Sequence, residues 1–303
     1  MFRIGIQTHT GGALGIDETY RLIRECGFDA VDAGLDFLQK YDGQRWPLLG
    51  QPGYTTEREY LEAVRPFKEA AKKYGLENYQ SHAPFPTYVP DESGEVNAYL
   101  LEIMKKAIMC CDAIDCRRIV IHPFYLQYEH RLDAKTKWEK NIEGYSQLIP
   151  QAKKYGVTIC LENMTIRNRG KKYEGVCATA AEANGYIDTL NGIAGAKCFA
   201  FCYDTGHALQ ISRDPREELP AMGERIECFH VHDNSGLTDQ HLAPYMGVLD
   251  WDSFIDGLRA IRFNKTLCFE TGAIWRVVDR ALCPDLMKFI ARTGRRFAQR
   301  VAE

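Results

Sequence analysis

The chain has 303 residues, 45% hydrophobic and 26% charged, enough apolar side chain to bury a core without disulfide or metal staples, which excludes a disordered or fibrous chain. With 38 Lys and Arg against 41 Asp and Glu, the net charge of -3 provides no global field for a polyanion such as DNA. No stretch approaches the roughly 18 uncharged apolar residues of a bilayer crossing, and the N-terminal MFRIGIQTHT has neither a basic nor a long apolar leader region, so a soluble protein with no membrane partner is expected.

Short apolar runs alternate with longer amphipathic segments along the whole chain, the pattern of βα units and a parallel sheet. Eight strands are expected, in chain order at 2–7, 30–33, 78–82, 118–122, 158–162, 198–204, 227–232 and 266–270. A polar, Gly- and Pro-containing stretch at 39–56 reads as a long loop after the second strand. Three helices run into the same connection, with Gly27, Gly75 and Gly156 as C-caps before the next strand. His82, His122 and Glu162 follow one another at intervals of 40 residues, which marks a structural repeat rather than separate domains. The eleven cysteines are scattered, odd in number and include the adjacent Cys110 and Cys111; reduced thiols and a cytoplasmic location are expected, not a disulfide framework.

His82, His122, Glu162, Asp204, His232 and Glu270 each close one of these apolar runs. In a parallel barrel the C-terminal strand ends converge, so these side chains would meet at one site. Carboxylates and imidazoles crowded together repel and desolvate one another unless a cation lies among them. One divalent metal is therefore expected; Mn, Co, Mg, Fe and Zn all accept this ligand chemistry. After the fifth strand, Arg167, Arg169, Lys171 and Lys172 form a small basic patch that reads as a solvated loop. Asp250 reads as the N-cap of a late helix.

The ordered strings SHAPF (81–85), VIHPF (120–124), LEN (161–163), DTGH (204–207), HVHDN (230–234), DQH (239–241) and FET (269–271) resemble the xylose-isomerase-like superfamily, which includes sugar phosphate isomerases and epimerases and the endonuclease IV family. The resemblance spans nearly the whole chain and implies a single (β/α)8 TIM barrel over residues 1–303. Similarity to ketose 3-epimerases implies Glu162, Asp204, His232 and Glu270 as metal ligands, Glu162 and Glu270 as the acid–base pair, and His207 as a substrate contact beside the metal. His230 has the parity of His232; His232 is preferred because it lies nearer the expected strand end, leaving His230 to pack inside the barrel. His82, His122, Asp239 and His241 resemble further zinc ligands of endonuclease IV and are candidates for additional metal or substrate contacts.

The implied activity is a metal-dependent isomerase or epimerase acting on a sugar or sugar phosphate by proton transfer through an enediolate, with a homo-oligomer as the implied assembly. Thr238 stands where ketose 3-epimerases carry an arginine, which keeps a keto-sugar or cyclitol dehydratase or lyase with the same metal site as an alternative. A zinc-dependent endonuclease at abasic DNA is the rival from another class, and a catalytically dead barrel kept for binding is a third. The acidic balance and the lack of an Arg/Lys-rich loop interleaved with aromatics argue against a nucleic-acid partner. A small carbohydrate is the expected partner.

Overall fold

The computed structural model describes residues 2–39, 54–89, 94–124 and 133–303. Its central sheet has eight parallel strands: β1 (Arg3–Gln7), β2 (Ala30–Gly34), β3 (Glu77–His82), β4 (Arg118–Val120), β5 (Thr158–Glu162), β6 (Phe199–Asp204), β7 (Ile226–His230) and β8 (Thr266–Phe269). Their spatial order is β8-β1-β2-β3-β4-β5-β6-β7. The ring closes between β7 and β8 through Val231 and Phe269, with Val231 N donating to Cys268 O at 2.9 Å and Glu270 N to Val231 O at 3.0 Å. Helices lie between successive strands, so this is the (β/α)8 TIM barrel that the motifs imply. Among the described residues no helix is long and apolar enough to cross a membrane.

The strands are buried on both faces, as a parallel sheet covered by helices requires. Outward residues such as Ile159, Leu161, Phe199 and Phe201 join the main core under the helices. A separate cluster of Val120, Cys160, Ala200, Cys202 and Cys228 fills the barrel itself. Cys160, Cys202, Cys228 and Cys268 each precede by two residues a polar residue at the strand end, so they share its inward direction and lie one layer below it. Small thiols thus occupy the space beneath the site, and all eleven cysteines are buried and free.

Most expected boundaries agree with the structure to within a residue or two. Gly75 (φ 64) and Gly156 (φ 62) end their helices in the left-handed conformation, and Asp250 caps the helix Trp251–Ala260 by accepting from Asp252 N and Ser253 N. Three differences matter. Strand β4 stops at Val120, so His122 stands just beyond it. Strand β7 runs to His230 rather than to 232; Val231 still bridges Phe269 of β8, and Asp233 beyond it pairs antiparallel with Leu242. The basic segment after β5 is an antiparallel hairpin, Thr165–Asn168 with Lys171–Glu174, where an open loop was expected. Most of the expected loop at 39–56 lies outside the described residues.

Candidate metal centre

The C-terminal mouth of the barrel gathers Gln7, Asp32, His82, Glu162, Asp204 and His230 from the ends of β1, β2, β3, β5, β6 and β7, together with Glu270 directly after β8. Ligand atoms of Glu162, Asp204, His230 and Glu270 all lie within 4.8 Å of one another, and all four residues are buried. Donors bound at about 2.0–2.2 Å span at most roughly 4.4 Å across an ion, so this set needs only a slight contraction to hold one. Glu162 Oε1 is 3.3 Å from His230 Nδ1, and Glu270 Oε2 is 3.5 Å from the same nitrogen.

The histidine grouped with Glu162, Asp204 and Glu270 is His230, whereas the expectation from the sequence was His232. The two share a strand face, but only His230 lies at the true strand end, where its Nδ1 meets both glutamates. His232 sits further along, with Nε2 3.1 Å from Asp204 Oδ2 and its ring stacked on His241 at 4.2 Å. It belongs to a separate group with His241 and Glu270.

His230, His82, His207 and His241 each commit one ring nitrogen to an acceptor and turn the other toward the site, the arrangement that fixes an imidazole as a metal ligand. His230 Nε2 donates to Asp32 Oδ2 at 3.2 Å, and Gln80 Nε2 holds the same oxygen at 3.0 Å. His82 Nδ1 donates to Ala83 O at 2.7 Å, which leaves Nε2 facing His122 Nε2 at 3.1 Å and Glu162 Oε2 at 3.9 Å. His122 Nε2 is 3.2 Å from that oxygen. His207 Nδ1 donates to Asn163 O at 2.9 Å and turns Nε2 to Asp239 Oδ2 at 3.2 Å. His241 Nδ1 donates to Glu270 O at 3.1 Å, with Nε2 3.0 Å from Asp239 Oδ2.

The structure thus brings together every residue singled out for the site: a central group around Glu162, a lateral group of His82 and His122 sharing Glu162, and a second lateral group of His207, Asp239 and His241. Buried Glu162 Oε2, His230 Nδ1, His232 Nδ1 and His122 Nδ1 have no hydrogen-bond partner among the described residues. Buried polar atoms are rarely left so unless an ion or water completes them; the donor set fits a divalent metal.

Sequence reasoning missed the layer behind these groups. Asp32 orients His230, Gln7 Nε2 holds Glu270 Oε1 at 2.9 Å, and Asn163 clamps Asp204 through its backbone N and O, both at 2.8 Å. A carboxylate inside the apolar run Ala30-Val31-Asp32-Ala33 was the available signal for Asp32. At the rim, His9 Nε2 pairs with Asp36 Oδ2 at 2.9 Å, and that hydrogen bond raises the His9 pKa.

Electrostatics within the centre are divided between acids and imidazoles. Burial pushes the Glu162 carboxyl up, but His230, His122 and His207 outweigh it and hold the group well below the usual carboxylate range. Burial likewise opposes charge on His207 and His230, yet Asp204 and Asp239 keep the former, and Cys202, Glu270 and Glu162 the latter, well above the ordinary imidazole value. Protons on these rings thereby offset the carboxylates in the metal-free protein.

Close packing carries the site as well. A Cβ on Gly206 would come within 1.9 Å of His232 Cε1, so the Gly of the DTGH string is a space requirement. Gly206→Ala is expected to displace His232 and to destabilise the protein by about 1–3 kcal/mol, as overpacking of a buried position does. Urea denaturation of the metal-free proteins measures this, and unchanged midpoints would contradict it.

Fold and site together define a TIM barrel equipped to hold metal at its C-terminal mouth. The chain matches the xylose isomerase-like TIM barrels over residues 20–291 and belongs to that family. An uncharacterised protein of Methanocaldococcus jannaschii is 26% identical over 62% of this chain, which spans 62% of that relative's length. The L-ribulose-5-phosphate 3-epimerase UlaE of Salmonella typhi is 24% identical over 80% of this chain and 77% of its own length. A probable endonuclease 4 of Acholeplasma laidlawii is 26% identical over 63% of this chain and 60% of its own. Among solved structures, the 3-keto-D-glucoside 4-epimerase YcjR of E. coli superposes with a TM-score of 0.72 at 18% identity, covering 97% of this chain and 100% of that one. The IolI protein with a bound zinc atom gives 0.66 at 15% identity, covering 99% and 98%. These structural likenesses speak for the fold.

Proposed function

We propose that the protein is a metal-dependent sugar isomerase or epimerase that moves a proton next to a carbonyl. The observation that carries this reading is the buried convergence of Glu162, Asp204, His230 and Glu270 at the barrel mouth. Two glutamates among the ligands, from β5 and from the end of β8, are the minimum equipment for removing a proton from one face and returning one to the other. When bound, the metal supplies Lewis-acid polarisation of a substrate carbonyl and so lowers the cost of an enediolate. Glu162 Oε2, which His122 Nε2 approaches at 3.2 Å, is the oxygen assigned to take up the proton. Glu270, its other oxygen fixed by Gln7, serves the opposite face of the substrate. His207, fixed by Asn163 through Nδ1, would turn its Nε2–H from Asp239 to a substrate oxygen. UlaE and YcjR, both epimerases by name, support the substrate class.

A lyase would use the same carboxylates to expel a β-hydroxyl. Product analysis separates it from the epimerase: an unsaturated product in place of a stereoisomer would replace this reading.

A second reading has its own observation. His82 and His122 present Nε2 atoms to Glu162 Oε2, while His207 and His241 both face Asp239. That is donor chemistry for more than one metal, as a zinc-dependent endonuclease at abasic DNA would require. One bound metal together with solvent-deuterium incorporation into a keto-sugar supports the sugar reading; two or three zinc ions with incision of an abasic duplex would overturn it.

Metal uptake should release protons at neutral pH. His241 is pushed up to about 10, because Glu270 and Asp239 outweigh its burial, and His230 is likewise raised. Both rings are therefore charged near pH 7 in the metal-free protein, and a ring must lose a proton to bind. Affinity should rise as pH rises above about 6.5, the ordinary imidazole value, until the raised His230 ring has lost its proton. Calorimetry in buffers of different ionisation enthalpy checks this; a buffer-independent heat would contradict it.

A further inference from the structure

The hairpin that follows Glu162 carries four cations that the proton-transfer reading leaves unused, and two of them, Arg167 and Lys172, lie opposite each other across it. Its strands are joined by Arg169 (φ 49) and Gly170 (φ 80), both left-handed, as in a two-residue turn of type I′. Such a turn closes on a hydrogen-bonded pair, here Asn168 with Lys171. The next pair, Arg167 with Lys172, is then of the non-hydrogen-bonded kind, in which side chains on one face approach most closely. Like charges placed directly opposite destabilise a hairpin. The acid on the same face, Glu174, is engaged by Arg213 and does not relieve them.

Lys172 is not a solvated surface lysine. It is half-buried, and its Nζ donates to Thr165 Oγ1 at 3.1 Å. Thr165 Oγ1 in turn donates at 3.1 Å to Gln210 Oε1, at the end of the helix Thr205–Gln210 that carries His207. Burial lowers the Lys172 pKa, Arg167 pushes the same way, and Asp239 is the carboxylate that opposes them. Its ammonium thus lies within electrostatic reach of both Arg167 on the hairpin and the Asp239–His207 pair at the centre. A desolvated ammonium beside a guanidinium is a setting in which a bound anion gains strongly: Lys offers a compact charge and Arg a two-pronged donor.

We propose that Arg167 and Lys172 form an anion subsite at the barrel mouth, which takes a phosphate or carboxylate group carried by the sugar substrate. The assignment of this anion to a substrate rests on the sugar reading; the binding of an anion there does not.

Inorganic phosphate titrated into the metal-loaded protein at low salt, followed by calorimetry, tests the subsite directly. Lys172→Gln and Arg167→Gln are each expected to weaken phosphate about 10–100-fold, the worth of a hydrogen bond to a charged group, while Lys171→Gln on the opposite face leaves it unchanged. Equal weakening by all three would show a diffuse charge effect, and no weakening would show phosphate held elsewhere; either overturns the subsite. Deuterium exchange into a ketose, its phosphate ester and the matching keto-uronate then identifies the source of the anion. The native protein should favour one anionic form over the neutral sugar, and the ratio of kcat/KM values should collapse about 10–100-fold in Lys172→Gln. Phosphate binding that is lost in the variants, in a protein that exchanges no sugar, would leave the subsite standing and sink the sugar reading. A native preference for the neutral ketose would sink the substrate assignment.

Discussion

Replacing His230 with Ala is expected to cost the protein its divalent metal, whereas His232→Ala should leave most of the affinity in place. His230 Nδ1 is the only imidazole nitrogen in the four-residue group, 3.3 Å from Glu162 and 3.5 Å from Glu270. Removing it leaves three carboxylates with no neutral donor. His232 faces Asp204 and stacks on His241, so its loss loosens the packing around the group without deleting a member. Asp32→Asn should fall between the two. The carboxylate at 3.2 Å keeps the proton on His230 Nε2 and so presents Nδ1 to the centre; loss of such a partner typically weakens metal about 10–100-fold. Metal affinities from chelator competition, with circular dichroism to verify folding, check the order. If His232→Ala loses the metal and His230→Ala keeps it, the ligand set in the first proposal is wrong.

That exchange of histidines shows where sequence reasoning stops. Residues 230 and 232 alternate to the same face of a strand, and periodicity cannot say which of them is the last paired residue. The difference lies in tertiary surroundings: His230 Nδ1 meets Glu162 and Glu270, while His232 Nε2 meets Asp204 and its ring stacks on His241. The barrel itself was legible because eight apolar runs alternate with amphipathic segments, and six of them close on a polar or charged residue that a convergent site would tolerate. Glu162, Asp204 and Glu270 could be placed in that convergence because nothing competes with them at their strand ends. Asp32, Gln7 and Gln80 were not placed there: a single polar residue inside a strand does not reveal which partner it holds across the barrel. The hairpin at 165–174 was hidden for a different reason. Its charged composition lacks the apolar alternation of a strand, and its turn uses Arg169 before Gly170 instead of the common Asn-Gly.

Glu162→Gln and Glu270→Gln are each expected to abolish proton transfer while sparing much of the metal affinity. The amide keeps the shape of the carboxylate and one oxygen able to meet a cation, but it cannot take up a proton near neutral pH. General acid–base catalysis contributes about 10²–10⁴-fold, so solvent-deuterium incorporation into a reactive keto-sugar should fall by that range or more. The two substitutions should still differ in what they leave behind. Glu162 supplies Oε1 to His230 and His207 and Oε2 to His122, so an amide there disturbs several imidazoles at once. Glu270 is held by Gln7 at one oxygen and faces His230 and His241 with the other, and an amide rotated to keep its oxygen toward those rings would turn its NH2 toward another donor. Metal loss should therefore be greater for Glu162→Gln than would follow from charge alone, and misorientation greater for Glu270→Gln. In an epimerase, each variant should block return of the proton to one face. In an isomerase that removes and returns a proton with a single carboxylate, one of the two should retain exchange. Native rates of exchange in both variants would show that neither glutamate is the base.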